Sequence, residues 1–214
     1  MKSLKITTHM QDFYLIRHGE TDWNVKLGLL QGHTDIPLNE RGILQSKALH
    51  KITSELKFNK IISSDLIRAR TTAENMTNFQ TEIEITSDLR EVHLGIGEGL
   101  SWAQVEEKLG ADFRAKWGAT AQPDMNLRFP GGESRGEVLQ RIQNCLFKFL
   151  RRHPGETLAF VSHGYVIRCL VFHLETMSQD FFVPNCAVVP FAFDGEKLLY
   201  KGPDATEDLL QPRL

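Results

Sequence analysis

Apolar positions along this chain fall into two rhythms. Short runs with little polar interruption read as buried strands: FYLIR at 13–17, KIISS at 60–64, EIEIT at 82–86 and the nearly wholly apolar TLAFVSH at 157–163. Between them the period lengthens to that of a helix. NERGILQSKALHKITSEL (39–56) places Ile43, Leu44, Ala48, Leu49 and Ile52 on one face, with Asn39 as a cap. SDLIRARTTAENMTNF (64–79) predicts a helix capped by Ser64 or Asp65, and EVLQRIQNCLFKFLRR (137–152) carries the stripe Leu139, Ile142, Leu146, Phe149. Two short helices are expected at 101–109 and 111–117, a Pro/Gly-rich loop at 121–134, a turn at 153–156 and a helix at 165–174. VVPFAF (188–193) and KLLYK (197–201) close the chain as a strand pair. Alternating strands and helices predict an α/β fold, a three-layer α/β/α sandwich around a mostly parallel central sheet.

In such sheets ligands gather at the carboxyl ends of the strands. Three strand ends carry polar groups of one kind: Arg17-His18-Gly19, Ser63-Ser64 with Arg68 close behind, and Ser162-His163-Gly164. The glycine after each histidine allows a sharp turn or a close approach. Arginine forks onto phosphate or carboxylate oxygens, and a neutral imidazole is a nucleophile that titrates near neutrality. Arginine and histidine in one pocket therefore point to phosphoryl transfer through a phosphohistidine. A G-x-x-x-x-G-K-[ST] loop is absent, which argues against nucleotide hydrolysis by that route.

Composition narrows the field. The 214 residues suit one large domain, or one core with an inserted subdomain, and a hydrophobic share of 41% with 24% charged is ordinary for a globular chain. A formal charge of −2 leaves no global basic field for nucleic acid or membrane, so any positive site is local. Cys145, Cys169 and Cys186 lie far apart in apolar surroundings, which suits small core side chains in a reducing cytoplasm better than disulfides. No leader-like run and no stretch of about 18 apolar residues is visible. His9, His50, His153 and His173 read as ordinary, and His33 and His93 as loop residues near the site. Ser134, with Glu133 before it, reads as a helix start.

LIRHGETDWN (15–24), QGHTDIPLNERG (31–42), SSDLIRARTTAE (63–74), LREVHLGIGEG (89–99), FPGGES (129–134) and VSHG (161–164) together resemble, in order, the motifs of the histidine phosphatase superfamily, phosphoglycerate mutase-like branch. The resemblance runs from about residue 13 to 190. It implies a single domain over 1–214, with a helical and loop insertion at about 95–131 covering the active site. It also implies that His18 is the nucleophile, that Arg17 and Arg68 grip the phosphoryl oxygens, and that His163 stabilises the transferring group. Glu91 would protonate the leaving oxygen and then activate water; Asn24 would add a hydrogen bond, and Gln31 and Gly32 would line the site. Phosphoryl transfer needs positioning and charge neutralisation above all, so no metal and no cofactor are expected.

The chain departs from the family pattern after Glu91. Gly97 stands where relatives carry a bulky aromatic, and the segment after the acid is shorter than in the mutases that use bisphosphoglycerate. The resemblance is therefore nearer to phosphatases, the α-ribazole phosphatase type included. The leading expectation is a phosphomonoesterase acting on a small phosphorylated metabolite, monomeric or homodimeric. Its rivals are a phosphoglycerate mutase, a non-enzymatic phosphate-binding module, and a metal hydrolase liganded by His18, His163 and Glu91, whose cation the neighbouring arginines would repel.

Overall fold

A computed structural model describes residues 10–119, 123–175 and 181–202. Six strands form one sheet: β1 (Gln11–Arg17), β2 (Lys60–Ser64), β3 (Ile83–Thr86), β4 (Leu158–Ser162), β5 (Val188–Phe193) and β6 (Leu198–Tyr200), in the order β3-β2-β4-β1-β5-β6. The first four of these run parallel; β5 pairs antiparallel with β1, and β6 antiparallel with β5. The helices are α1 (Glu40–Leu56), α2 (Ile67–Met76), α3 (Trp102–Leu109), α4 (Phe113–Gly118), α5 (Arg135–Arg152) and α6 (Gly164–Leu174).

Strand alternation builds the layers. Phe13, Leu15, Ile62, Leu158, Phe160, Val189 and Phe191 point into one core, against α5, α6 and the short α3 and α4. Ile16, Ile61, Ala159, Val161 and Val188 point into the other, against α1 and α2. Both faces are covered, so the strands read as continuous apolar runs even though their side chains alternate. The larger core is aromatic: Phe13 stacks on Phe191 at 5.2 Å and meets Phe160 edge-on at 6.0 Å. Each such fully buried ring contributes about 1.5–3 kcal/mol. The three cysteines are free and buried, as their apolar surroundings implied. Among the described residues no helix is long and apolar enough to cross a membrane.

The caps agree with the sequence in part. Asn39 caps α1 by accepting from the Gly42 amide at 2.8 Å. Ser134 caps α5 through a capping box with Glu137, so that helix begins two residues before 137. The cap expected for α2 does not form. Its N-cap is Leu66, and the Ile67 amide donates instead to Asp35, 32 residues away, at 2.7 Å. Asp65 is diverted into a two-pronged ion pair with Arg90, and Ser64 turns toward the site. The helix stops at Met76 rather than at 79, where Asn78 and Phe79 take positive φ. The π-helical turn at Trp23–Leu27 and the 3-10 turns at Ser87–Leu89 and Gly95–Gly97 carry no periodic signal in the sequence. His9 and residues 120–122 of the expected insertion and loop lie outside the described residues.

Gly97 has a local explanation. A Cβ there would meet the fully buried Phe129 ring at 2.4 Å, so an aromatic from the 121–134 loop fills the space that the missing side chain leaves. Gly97→Trp is therefore expected to lower stability by about 1–3 kcal/mol through overpacking. Thermal unfolding of the single variant and of the Gly97→Trp, Phe129→Ala pair checks this: the second substitution should return part of the loss, and simple additivity would refute the shared-volume account.

Candidate active site

The carboxyl ends of β1, β2 and β4 lie side by side because these strands are parallel and in register, with Arg17 opposite Ser162 and Ser63 opposite Val161. Seven of the eight residues expected from the sequence line one cavity of about 220 Å³: Arg17, His18, Asn24, Gln31, Gly32, Arg68 and Glu91. The eighth, His163, is fully buried beside it, its ring centroid 5.1 Å from that of His18.

Each group arrives by a different route. His18 Nδ1 sits 2.7 Å from the carbonyl of Gly19. A carbonyl can only accept, so Nδ1 carries the proton and Nε2 keeps its lone pair. Arg68, on the first turn of α2, is fully buried and donates to the carbonyls of Gly32 and Thr34 at 2.8 and 2.9 Å. Arg17 donates to the Val183 carbonyl at 2.5 Å. A Cβ on Gly164 would lie 3.0 Å from the Arg17 Nε, so that glycine leaves room for the guanidinium. His163 Nε2 is 2.9 Å from Ser64 Oγ. Asn24 is committed to its own turn: its Oδ1 accepts from the Thr21 amide and hydroxyl, and its Nδ2 donates to Asn185, which in turn donates to the His18 carbonyl.

Glu91 is held at both oxygens, Oε1 by the Val92 amide at 3.0 Å and Oε2 by the Tyr165 amide at the start of α6 at 3.2 Å. Its neighbour Arg90 is occupied with Asp65 instead. The backbone that presents Glu91 is pinned from behind. Arg141 on α5 donates to the carbonyls of Asp88 and Arg90 and makes a two-pronged pair with Glu133. His33 Nε2 donates to the Glu91 carbonyl at 2.8 Å. Glu98 accepts from the amides of His33, Thr34 and Leu94 and from the Thr34 hydroxyl, which ties the Gly32 loop to the loop after the acid.

Four buried side-chain atoms around the cavity lack a partner: Arg17 Nε, Arg68 Nε, His163 Nδ1 and Gln31 Oε1. Buried polar atoms are nearly always satisfied, so three unpartnered nitrogens at one place suit an anion, whereas the Gln31 Oε1, an acceptor, suits a donor. The electrostatics agree. Burial lowers the pKa of His18 and His163 well below that of a free imidazole, and Arg68 lowers both further. Burial also pushes the Arg68 guanidinium down to about 10. The site thus holds two neutral imidazoles between two cations.

Sequence reasoning missed Arg141, Glu98, Asn185, Tyr165, Trp102, Trp117 and Arg168. The last four line the cavity. Tyr165 and Arg168 could have been found, because they follow His163 at i+2 and i+5 on a helix that starts at the site. Arg141 reads as one more solvated charge on an amphipathic helix.

A six-stranded, helix-covered sheet with an anion cradle at its parallel strand ends fits a protein that handles phosphoryl groups. A family model for the histidine phosphatase superfamily (branch 1) matches residues 13–202, and the chain belongs to that superfamily. It is 32% identical over 190 residues to a metal-independent phosphoserine phosphatase of Arabidopsis thaliana, across 87% of this chain and 78% of that one. It is 31% identical over 191 residues to phosphoglycerate mutase-like protein 4 of the same plant, across 87% and 81%. A solved phosphoserine phosphatase of Entamoeba histolytica, in complex with phosphoserine, superposes with a TM-score of 0.79 at 27% identity, covering 94% of this chain and 100% of that one. The chain is a hydrolase of the histidine phosphatase type, with phosphomonoesters as its substrates.

Both imidazoles have folded-state pKa values below the unfolded one, so the unfolded chain binds more protons at mildly acid pH. Their share of stability is complete above about pH 6.5 and is lost as pH falls below it, with a slope approaching about 1.4 kcal/mol per pH unit for each ring. Urea unfolding between pH 7.5 and 5 should show this loss, reduced in His163→Asn; a flat profile would contradict neutral burial.

Proposed function

We propose that this protein hydrolyses a small phosphomonoester through a phosphohistidine on His18. The observation that carries the reading is the bare Nε2 of His18 beside three unpartnered nitrogens, those of Arg17, Arg68 and His163. In the first step the Nε2 lone pair attacks phosphorus while Arg17, Arg68 and His163 take the oxygens. The P–O bond to the alcohol breaks, and protonated Glu91 gives the leaving oxygen its proton. The Gly19 carbonyl holds the proton on Nδ1 as the ring becomes cationic. In the second step the Glu91 carboxylate removes a proton from water as that water attacks phosphorus. The N–P bond breaks, its electron pair returns to Nε2, phosphate leaves, and Glu91 is protonated again.

Ser64 has a positioning role in this scheme. Its Oγ accepts from the Leu66 amide at 3.3 Å, which leaves its own hydrogen for His163 Nε2. That choice puts the single ring proton on Nδ1, which then faces an anion as a donor rather than as a lone pair.

Phosphate release with a chelator present tests the scheme. Wild type should release phosphate from simple phosphomonoesters and His18→Ala should not; loss of wild-type activity on chelation would favour the metal hydrolase instead. The same preparation should not interconvert 3- and 2-phosphoglycerate, and robust interconversion would make the protein a mutase. Ser64→Ala should lower kcat about 10- to 100-fold, as loss of an imidazole's orienting partner does, with Ser64→Thr restoring most of it. Nitrogen-15 NMR of the histidines separates this from simple misfolding: His163 should be the Nδ1–H tautomer in wild type, and an Nε2–H tautomer there would sink the role given to Ser64.

A further inference from the structure

The alcohol side of the cavity differs in chemistry from the phosphoryl side. Beyond the cradle its walls include Leu29, Leu30, Leu94, Trp102 and Trp117. A second cavity of about 200 Å³ adjoins it, and Arg17, Glu91, Tyr165 and Arg168 line both. Arg168 is therefore the one cation outside the cradle that borders the leaving-group space among the described residues. Its position is fixed: Nη2 donates to the Gly118 carbonyl at 3.3 Å, and the guanidinium lies over the Phe172 ring at 5.1 Å.

From this lining we propose that the alcohol released by this enzyme has an apolar, ring-sized body carrying one carboxylate-like anion, and that Arg168 is the residue that binds that anion. The inference rests on the phosphomonoesterase reading. Three features support it. Leucine and tryptophan side chains reward apolar surface and give a polyhydroxylated sugar few partners, so its hydroxyls would lose water without compensation. The only carboxylate lining either cavity among the described residues is Glu91, which the proposed scheme already uses as the proton donor to the leaving oxygen. An ammonium on the substrate, as in phosphoserine, therefore meets no carboxylate apart from that acid, although relatives of this chain are phosphoserine phosphatases. A guanidinium at the rim forms charge-assisted hydrogen bonds with a carboxylate and selects for it.

Calorimetric binding to the His18→Ala protein reads the leaving-group side without turnover. The ligands are benzyl phosphate, 3- and 4-carboxybenzyl phosphate, O-phosphoserine and glucose 6-phosphate, with inorganic phosphate as the control for an intact cradle. Benzyl phosphate is expected to bind at least about tenfold more tightly than O-phosphoserine or glucose 6-phosphate. One of the carboxylated ligands should gain about tenfold more, the value of one charge-assisted contact. Adding Arg168→Gln should bring the carboxylated-to-plain ratio near one while inorganic phosphate still binds. Trp102→Ala should weaken benzyl phosphate. Tighter binding of O-phosphoserine or glucose 6-phosphate, or a carboxylate gain that survives Arg168→Gln, would overturn the proposal. Phosphate release by wild type is scored separately: the expected binding order without any release would defeat the phosphatase reading and leave the subsite standing, and release with the order reversed would do the opposite.

Discussion

A guanidinium buried without a carboxylate partner is the constraint on which the rest of this structure depends. Among the described residues Arg68 is the largest fully buried side chain, and none of the described ion pairs includes it. Taking a lone cation out of water is costly unless its charge is met. Here two carbonyls meet it in part, and Glu91, Asp35 and Glu98 act on it only through space. The remaining Nε has no partner within the fold. Burial first, and the same surplus of positive charge after it, keep both imidazoles neutral.

That arrangement holds only if several loops stay in register. The fastening is polar and lies behind the cavity. Ser162 donates to the Leu89 carbonyl at 2.8 Å and so ties the end of β4 to the segment leading to Glu91. Arg141 reaches across from α5, Glu98 gathers amides from two loops, and Asp65 with Arg90 joins the start of α2 to the residue before the acid. These groups touch no reacting atom. They hold the segments that carry Glu91, Arg68 and Gly32 together around the cavity.

The comparison of Gly97 with Phe129 illustrates how a local departure from a family pattern can leave the architecture intact. The space of one aromatic is filled by another that arrives from a different loop. Phe129 also meets the Trp117 and Phe113 rings edge-on. Trp117 lines the cavity, so packing under the loop bears on the cavity's shape.

Sequence alone determined the strands, the layers and the groups around the phosphoryl site. Apolar runs and helical stripes are local signals, and an Arg-His pair ending a buried strand is costly enough to need a reason that can be read in place. Tertiary structure decided what sequence spacing does not encode. Asp35 replaced the local cap of α2, and Asp65 went to Arg90, because partners distant in sequence competed better for them. Asn24 proved to be bound up with Thr21 and Asn185, and Arg141, Glu98 and Arg168 gained their meaning only from what the fold set beside them. A charged residue on a helix looks the same whether it faces water or a cavity; which of the two it faces is settled by long-range packing.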